Sequence, residues 1–234
     1  MTQVLSLVNA FDAFIVGCID DGTWDSINAS CIMAGWSNLS GALTPLAGPQ
    51  PSGFNLASGE YSRASGLKGD GASMYLSSNV KANAFNISGL HMASFISLSG
   101  GSFGDALGYQ GNDSLALLRY YSTNNIFNGY MNDTTLTFYS SGVAFTPTFY
   151  GFSRNSNTSY TSRVLSSGIT HTTTAIPNTP SFNIGVGATI LNTGLITAPI
   201  SYAISFYSIG TPLNLSLLDN RVTVLMSGIQ NAIP

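Results

Sequence analysis

The sequence predicts a mainly β protein: an antiparallel β-sandwich of the jelly-roll type, with helices at both ends of the chain. From about residue 66 to residue 210, short segments rich in aromatic and β-branched residues alternate apolar and polar positions, as half-buried strands do. Clusters of glycine, asparagine, aspartate and serine interrupt these segments about every 8 to 12 residues, as in sandwiches and barrels. No helical pattern separates them, which disfavours a parallel α/β sheet.

The first 36 residues predict a helical hairpin. Apolar residues recur at intervals of three and four from Val4 to Ile19, which is the period of one helix face. Gly22 is a stop signal for this helix, and Thr23 is placed to cap a second one. The second helix would carry its apolar residues at Trp24, Ile27, Cys31 and Ala34.

The rest of the chain divides into a connection and one compact unit. Residues 37–65 contain three prolines and several glycines, so we predict a connecting loop without a long helix. Residues 66–234 would form the sandwich together with a C-terminal helix. That helix is predicted within residues 211–234, where Ser216 and Asp219 have the spacing of a cap.

The segment GLKGDG, residues 66–71, invites comparison with a phosphate-binding loop. Such a loop needs a longer glycine-rich stretch, then lysine and serine or threonine at the start of a helix. Here a strand-like segment follows instead. Asp70 and Gly71 form a strong turn pair, since glycine accepts positive φ without steric cost. We therefore predict a turn between strands.

The composition argues against several classes of partner. Only 7% of the 234 residues are charged, against about a quarter in an ordinary domain, so the surface would be neutral and polar and would tolerate close packing of subunits. Seven scattered basic residues and a net charge of −3 argue against nucleic acid. No apolar run approaches the roughly 20 residues that span a bilayer, and the N-terminus lacks the basic region of a signal peptide.

The residues predict no catalytic site, metal site or cofactor. The single glutamate, Glu60, lies in a predicted loop, and no pair of carboxylates has the arrangement of a glycosidase. His91 and His171 stand 80 positions apart without a neighbouring cysteine or carboxylate cluster, which argues against zinc. Cys18 and Cys31 are predicted to be buried thiols.

Residues 100–114, GGSFGDALGYQGNDS, leave two alternatives open. Asp105, Asn112 and Asp113 offer the oxygen ligands that Ca²⁺ prefers, but we favour two tight turns flanking a strand as their explanation. An aromatic residue on a sheet face beside such side chains can stack on a sugar ring. The candidate glycan-binding residues are therefore Asp105, Tyr109, Asn112 and Asp113; the alternative is that the mid-chain aromatic residues form the core and a subunit interface.

Five segments taken in order carry a family resemblance. They are NAFDAFIVGCIDDGTWDSINASCIMAG, SGALTPLAGP, SRASGLKGDGASMYLSSN, LHMASFISL and ISYAISFYSIGTPLNLSLLDNRVTVLMSGIQNAI. This order resembles tailed-phage virion proteins that carry a concanavalin A-like (laminin G-like) jelly-roll domain. The resemblance implies an early strand at GLKGDG, a last strand at SFYSIGTPL followed by the terminal helix, and no catalytic residues.

The resemblance implies a non-enzymatic structural subunit of a virion assembled in the host cytoplasm, in capsid decoration or cement, tail or fibre. Its partners would be other virion proteins and other copies of itself, as a trimer or larger. Phe11, Phe14 and Ile15 are the candidate interface anchors; the alternative is that they pack within the chain. Two other functions stay open: a carbohydrate-binding module for host surface glycan, and a glycan-cleaving enzyme.

Overall fold

The computed structural model describes residues 2–101, 103–112, 114–133, 137–140, 145–175 and 180–233. In these residues the helices are α1 Thr2–Asp20, α2 Leu39–Ala42 and α3 Leu215–Ala232. The strands are β1 Ile27–Ile32, β2 Ser52–Phe54, β3 Tyr61–Ser62, β4 Gly66–Lys68, β5 Tyr75–Lys81, β6 Leu90–Leu98, β7 Phe103–Gln110, β8 Leu115–Tyr121, β9 Ile126–Met131, β10 Thr137–Ser140, β11 Thr148–Arg154, β12 Ser159–Val164, β13 Ser167–Thr172, β14 Asn183–Val186, β15 Thr189–Leu191, β16 Ile196–Thr197 and β17 Ala203–Gly210.

The strands form two sheets. Sheet A has the order β13-β12-β11-β6-β17-β4-β3, and β1 also pairs with β17. Sheet B has the order β10-β9-β8-β7-β14-β5-β2, with β15 and β16 as an added hairpin beside β7. The pairs are antiparallel except β15 with β7. This arrangement confirms the predicted mainly β sandwich with terminal helices.

Two clusters of buried apolar side chains hold the layers together. The larger cluster fills the space between the sheets and takes Tyr120 from β8 and Tyr207 from β17. The smaller cluster lies on the outer side of sheet A, where Phe206 packs with Phe14 of α1 and Val222 of α3. Phe206 and Tyr207 belong to different clusters because successive side chains of a strand point to opposite faces.

The prediction of a second helix in the N-terminal hairpin is wrong. Residues 27–32 form β1, which pairs with β17 at the centre of sheet A. Ala29 and Cys31 face the space between the sheets, and Ile32 faces the helices, so β1 is buried on both sides. A strand buried on both sides shows a run of apolar residues without alternation, and such a run resembles a buried helix.

The capping predictions need a similar correction. The Thr23 hydroxyl donates to the Cys18 carbonyl at 3.2 Å and caps no helix. The cap of α3 is Asn214, whose side chain accepts from the Ser216 backbone N–H at 2.9 Å. Asp219 is buried instead, in an ion pair with Arg163.

The predicted turn at Asp70 and Gly71 is confirmed. It joins β4 of sheet A to β5 of sheet B, and Gly71 has a φ of +70°. The Asp70 carboxylate accepts from the backbone N–H groups of Ala72, Ser73 and Met74 at 2.8, 2.9 and 3.0 Å. The buried thiols are also confirmed, since Cys18 and Cys31 are both buried and free.

Among the described residues, no helix has both the length and the mean hydropathy of a bilayer-spanning helix.

Candidate functional site

Two aromatic side chains stack in the open on the outer face of sheet B. Phe103 of β7 lies directly opposite Tyr121 of β8, with ring centroids 5.4 Å apart and an angle of 25° between the rings. Phe103 is 43% exposed although it is large and apolar. Tyr120, the neighbour of Tyr121, points the other way into the core, as strand alternation requires. The outer face therefore presents an aromatic surface to solvent.

A neutralised cation borders this surface. Arg119 follows the same face of β8, and its guanidinium carbon lies 5.5 Å from the Phe103 ring centroid. Its Nε and Nη2 donate to the two carboxylate oxygens of Asp105 at 2.6 and 3.0 Å. Burial raises the pKa of Asp105 and the contacts with Arg119 oppose that rise. Asp105 in turn raises the pKa of Arg119, so the guanidinium keeps its charge at any physiological pH.

The carboxylate of Asp105 is sealed from solvent by the β15–β16 hairpin. Thr189 of β15 donates its hydroxyl to Asp105 at 2.6 Å, and the Asp105 side chain has no exposed surface. The hairpin can lie this close because residue 108 is a glycine: a Cβ there would lie 2.1 Å from the Thr189 hydroxyl oxygen. Gly108 thus lets the hairpin bury the anion while Arg119 stays partly exposed.

An acceptor without a partner lies next to Arg119. Asn128 of β9 is opposite Arg119 in the ladder, on the same face of sheet B. Its side chain is 5% exposed, and among the described residues its Oδ1 has no hydrogen-bond partner. Buried polar atoms are normally hydrogen-bonded, and one that is not costs about 1–3 kcal/mol. We call Phe103, Arg119, Tyr121 and Asn128 the aromatic patch.

The aromatic patch has the chemistry of a recognition surface. An aromatic ring offers a flat apolar face on which the C–H groups of a sugar ring can pack. Guanidinium, phenol and amide groups at its border can exchange hydrogen bonds with hydroxyl groups. No nucleophile or pair of free carboxylates stands among these four residues.

The residues predicted from the sequence to bind glycan separate in the structure. Asp105 lies in strand β7 and not in a turn, and it supports Arg119 from below the surface. Tyr109 faces the core and is buried, with its hydroxyl bonded to Asn132, so burial keeps it from contact with an external ligand.

Asp113 lies outside the described residues, and Asn112 follows the end of β7. Asn112 is exposed and bonds the Asn192 side chain. It stands at the opposite end of β7 from Phe103, about 25 Å away along a strand. Asn112 is therefore not part of the aromatic patch.

The candidate interface residues lie on the inner side of α1. Phe14 is buried and meets Phe206 edge to face, with centroids 5.7 Å apart. Phe11 and Ile15 are half-buried and pack against the same cluster. The exposed apolar residues of α1 are Leu5, Val8, Val16 and Ile19. Self-association stays a prediction, and the three predicted anchors serve intramolecular packing in this chain.

The buried ionisable residues outside the patch have structural partners. Arg154 is buried and binds Asp133 at 3.1 Å, and Arg163 binds Asp219 at 2.7 Å. His91 is buried and bonded through both ring nitrogens, to the Thr211 carbonyl at 2.6 Å and the Ser208 hydroxyl at 2.8 Å. Within the described ranges, no group of three or more His, Cys, Asp or Glu residues could hold a metal ion.

A cavity of about 530 Å³ lies on the opposite side of the molecule, between the β12–β13 hairpin and the start of α3. Its lining residues include Asn155, Thr161, Arg163 and Ser216. The charge of Arg163 is already matched by Asp219, and no aromatic side chain lines the cavity. It is a recess between structural elements with a mainly apolar lining, to which Leu213 and Leu215 contribute.

Sequence reasoning missed Phe103, Arg119 and Asn128. One available signal was the alternation of LALLRYY, which places Leu117, Arg119 and Tyr121 on one face of β8. The glycine-rich stretch around Phe103 hid the start of β7, because glycine is uncommon in strand interiors.

Comparisons with known proteins support the fold. No family model and no curated protein matches the chain. The botulinum neurotoxin serotype D binding domain has a TM-score of 0.57 and 10% identity, over 87% of this chain and 51% of that one. A mutant Trypanosoma rangeli sialidase displaying trans-sialidase activity has a TM-score of 0.60 and 8% identity, over 96% of this chain and 38% of that one.

The chain thus spans about half the length of the toxin domain and less of the sialidase. At these identities the likeness establishes the β-sandwich fold alone.

Proposed function

We propose that this protein is a non-catalytic binding module that recognises glycan on a receptor, and that the aromatic patch is the contact surface. The observation that carries the proposal is the open Phe103–Tyr121 stack bordered by Arg119 and by an amide without a partner. Covering such a stack with a ligand removes apolar surface from water and so contributes favourable free energy to binding. The toxin domain with the same fold is a receptor-binding domain, which supports this function.

A catalytic function has less support. The sialidase likeness concerns the fold, and the buried carboxylates among the described residues, Asp105, Asp133 and Asp219, are each paired with an arginine. Glycosidases need two carboxyl groups that are free to act on the scissile bond. Incubation with the bound glycan should therefore release no new reducing ends.

The structural role in a virion, which the sequence resemblance implied, stays a prediction. The similar structures reported above are a toxin domain and a sialidase, so they give that role no support. Virion assembly and glycan recognition are compatible, because the aromatic patch and the helices lie on opposite sides of the sandwich.

The test is glycan-array binding of the full chain with matched variants. Phe103→Ala should weaken binding about tenfold, since losing one aromatic contact is worth about 1.4 kcal/mol. Phe54→Ala is the control, because Phe54 is 42% exposed and stacks on Tyr75 of the same sheet at 4.6 Å, away from the patch. Absence of any glycan binding, or an equal loss with both variants, would refute the proposal.

A further inference from the structure

We infer that the aromatic patch selects a neutral, hydroxyl-bearing sugar over an acidic sugar. This inference rests on the proposed function and adds the chemical class of its ligand. Two observations carry it: the charge of Arg119 is already matched, and the unpartnered polar atom of the patch is an acceptor.

The charge balance disfavours an acidic ligand. A site for a carboxylate or sulfate normally offers a cation whose hydrogen bonds are free to hold the anion. In this site Asp105 holds Arg119 through two bonds, and Thr189 holds Asp105 in place. Tyr121 makes a further hydrogen bond to the same guanidinium. An acidic sugar would lose its hydration and would meet an ion pair of zero net charge.

The unpartnered acceptor favours a hydroxyl group. Asn128 Oδ1 lacks a donor, and it lies on the strand next to Arg119. An ionised carboxylate has no hydrogen to donate, so it would leave Oδ1 without a partner and oppose it with another acceptor. A sugar hydroxyl both donates and accepts. Oδ1 has almost no exposed surface, so it becomes accessible only when a neighbouring side chain turns aside. A sugar hydroxyl that enters there can donate to Oδ1 and accept from the Tyr121 hydroxyl.

The spacing between the aromatic pair and the polar groups determines how a sugar would lie on the patch. Phe103 lies opposite Tyr121, and this pair is two residues along the strands from the row that contains Arg119 and Asn128. Two positions on one face of a strand lie about 7 Å apart. A single sugar ring stacked on the aromatic pair therefore has its hydroxyl groups within reach of the row of polar groups.

The experiment is an array in which each neutral oligosaccharide is paired with its sialylated and its sulfated derivative, such as lactose with 3′-sialyllactose. We expect the neutral member to bind at least fivefold more tightly, with less than a twofold change between 50 and 500 mM NaCl. Equal or tighter binding of the acidic members, or binding that salt abolishes, would refute the inference and leave the proposed function intact. If no member binds, both are refuted.

Two variants separate the contributions of charge and acceptor. Asn128→Ala should weaken neutral-sugar binding about fivefold with an unchanged melting temperature, whereas Phe54→Ala should change neither. Asp105→Asn frees the charge of Arg119 and should shift preference toward the acidic member by at least fivefold. If Asp105→Asn fails to fold, the Asn128→Ala result decides: unchanged neutral-sugar affinity in that variant contradicts the inference.

Discussion

The outer face of sheet A is covered by helices, whereas the outer face of sheet B is exposed to solvent where Phe103 lies. On sheet A, the helices α1 and α3 cover Phe95, Phe149 and Phe206, and all three rings are buried. On sheet B, no described part of α1 or α3 packs over the strands, and Phe103 stays 43% exposed. Both faces carry aromatic residues on strands of similar length. The difference shows that the same residue type stabilises the fold on one face and remains available to a ligand on the other.

The covered face also lacks the solvent that ionised groups require. His91 points toward the helix side of sheet A, in the alternating row that contains Ala93 and Phe95. Burial lowers its pKa to about 4 against the opposing effect of the Thr211 and Gly210 backbone. On sheet B, Arg119 keeps its charge because it meets both an anion and water. The two faces therefore differ in polarity as well as in cover.

The largest expected effect tests the covered face. Phe206→Ala removes a fully buried ring between α1 and sheet A, and the cavity left behind should lower the free energy of unfolding by about 4 kcal/mol. Chemical denaturation with urea measures this change. Glycan binding of the folded fraction should be unchanged, because the aromatic patch lies on the other sheet. A loss below about 1 kcal/mol would contradict the idea that the helices seal this face.

The next effect concerns pH on the covered face. In the unfolded chain His91 gains a proton near pH 6.5, whereas in the folded chain it does so only near pH 4. The unfolded state binds more protons between these values, so stability falls as pH drops from 6.5 to 4, by about 3 kcal/mol. Urea unfolding across this range measures the loss.

A matched histidine provides the control. His91→Gln should be less stable at pH 7 but should show a flatter profile between pH 6.5 and pH 4. Burial also lowers the pKa of His171, but this side chain is only half-buried, so His171→Gln should flatten the profile less than His91→Gln does. An unchanged pH profile in His91→Gln would contradict the assignment.

The alternating strands show how far the sequence alone could predict this fold. The segments LHMASFISL, LALLRYY and IFNGYM match β6, β8 and β9 residue for residue. Each segment keeps the two-residue alternation of a strand apart from single exceptions. The strand β1 escaped prediction because it is buried on both sides. A strand was expected within residues 100–114, but the glycines that the β15–β16 hairpin needs hid the extent of β7.

The candidate site was harder to predict than the fold. Tyr109 and Phe103 both lie in β7, but the local irregularity between Asp105 and Leu107 changes which residues face outward. A sequence offers no sign of such a bulge, so Tyr109 was chosen and Phe103 was not. The pairing of Arg119 with Asp105 depends on the β7–β8 register, which the turn sets.

A smaller effect is expected where the two sheets are joined. Burial tends to raise the pKa of Asp70, but the hydrogen bonds from Met74, Ala72 and Ser73 outweigh it and lower the pKa to about 2. The carboxylate therefore stabilises the fold above pH 3.8, and this contribution is lost as pH falls from 3.8 toward 2. Asp70→Ala should cost about 1 kcal/mol at pH 7, because solvent screens so exposed a group.

Urea unfolding at pH 7 and pH 2 measures this contribution. The Asp70→Ala and wild-type curves should converge at the lower pH. Asp12→Ala, at an exposed position on α1, is the control and should change stability little at either pH. A difference between Asp70→Ala and wild type that persists at pH 2 would assign the effect to packing and not to charge.

The smallest effect on stability is expected on the open face of sheet B, and it tests directly whether the two outer faces differ. Phe103→Ala should change the free energy of unfolding by at most about 0.5 kcal/mol, because the ring is half in solvent and contacts mainly Tyr121 and Arg119. The same substitution is the one expected to weaken glycan binding about tenfold. Urea unfolding and array binding of the same preparation measure both quantities. A stability loss comparable to that of Phe206→Ala would make Phe103 a structural residue and would remove the distinction between the two faces.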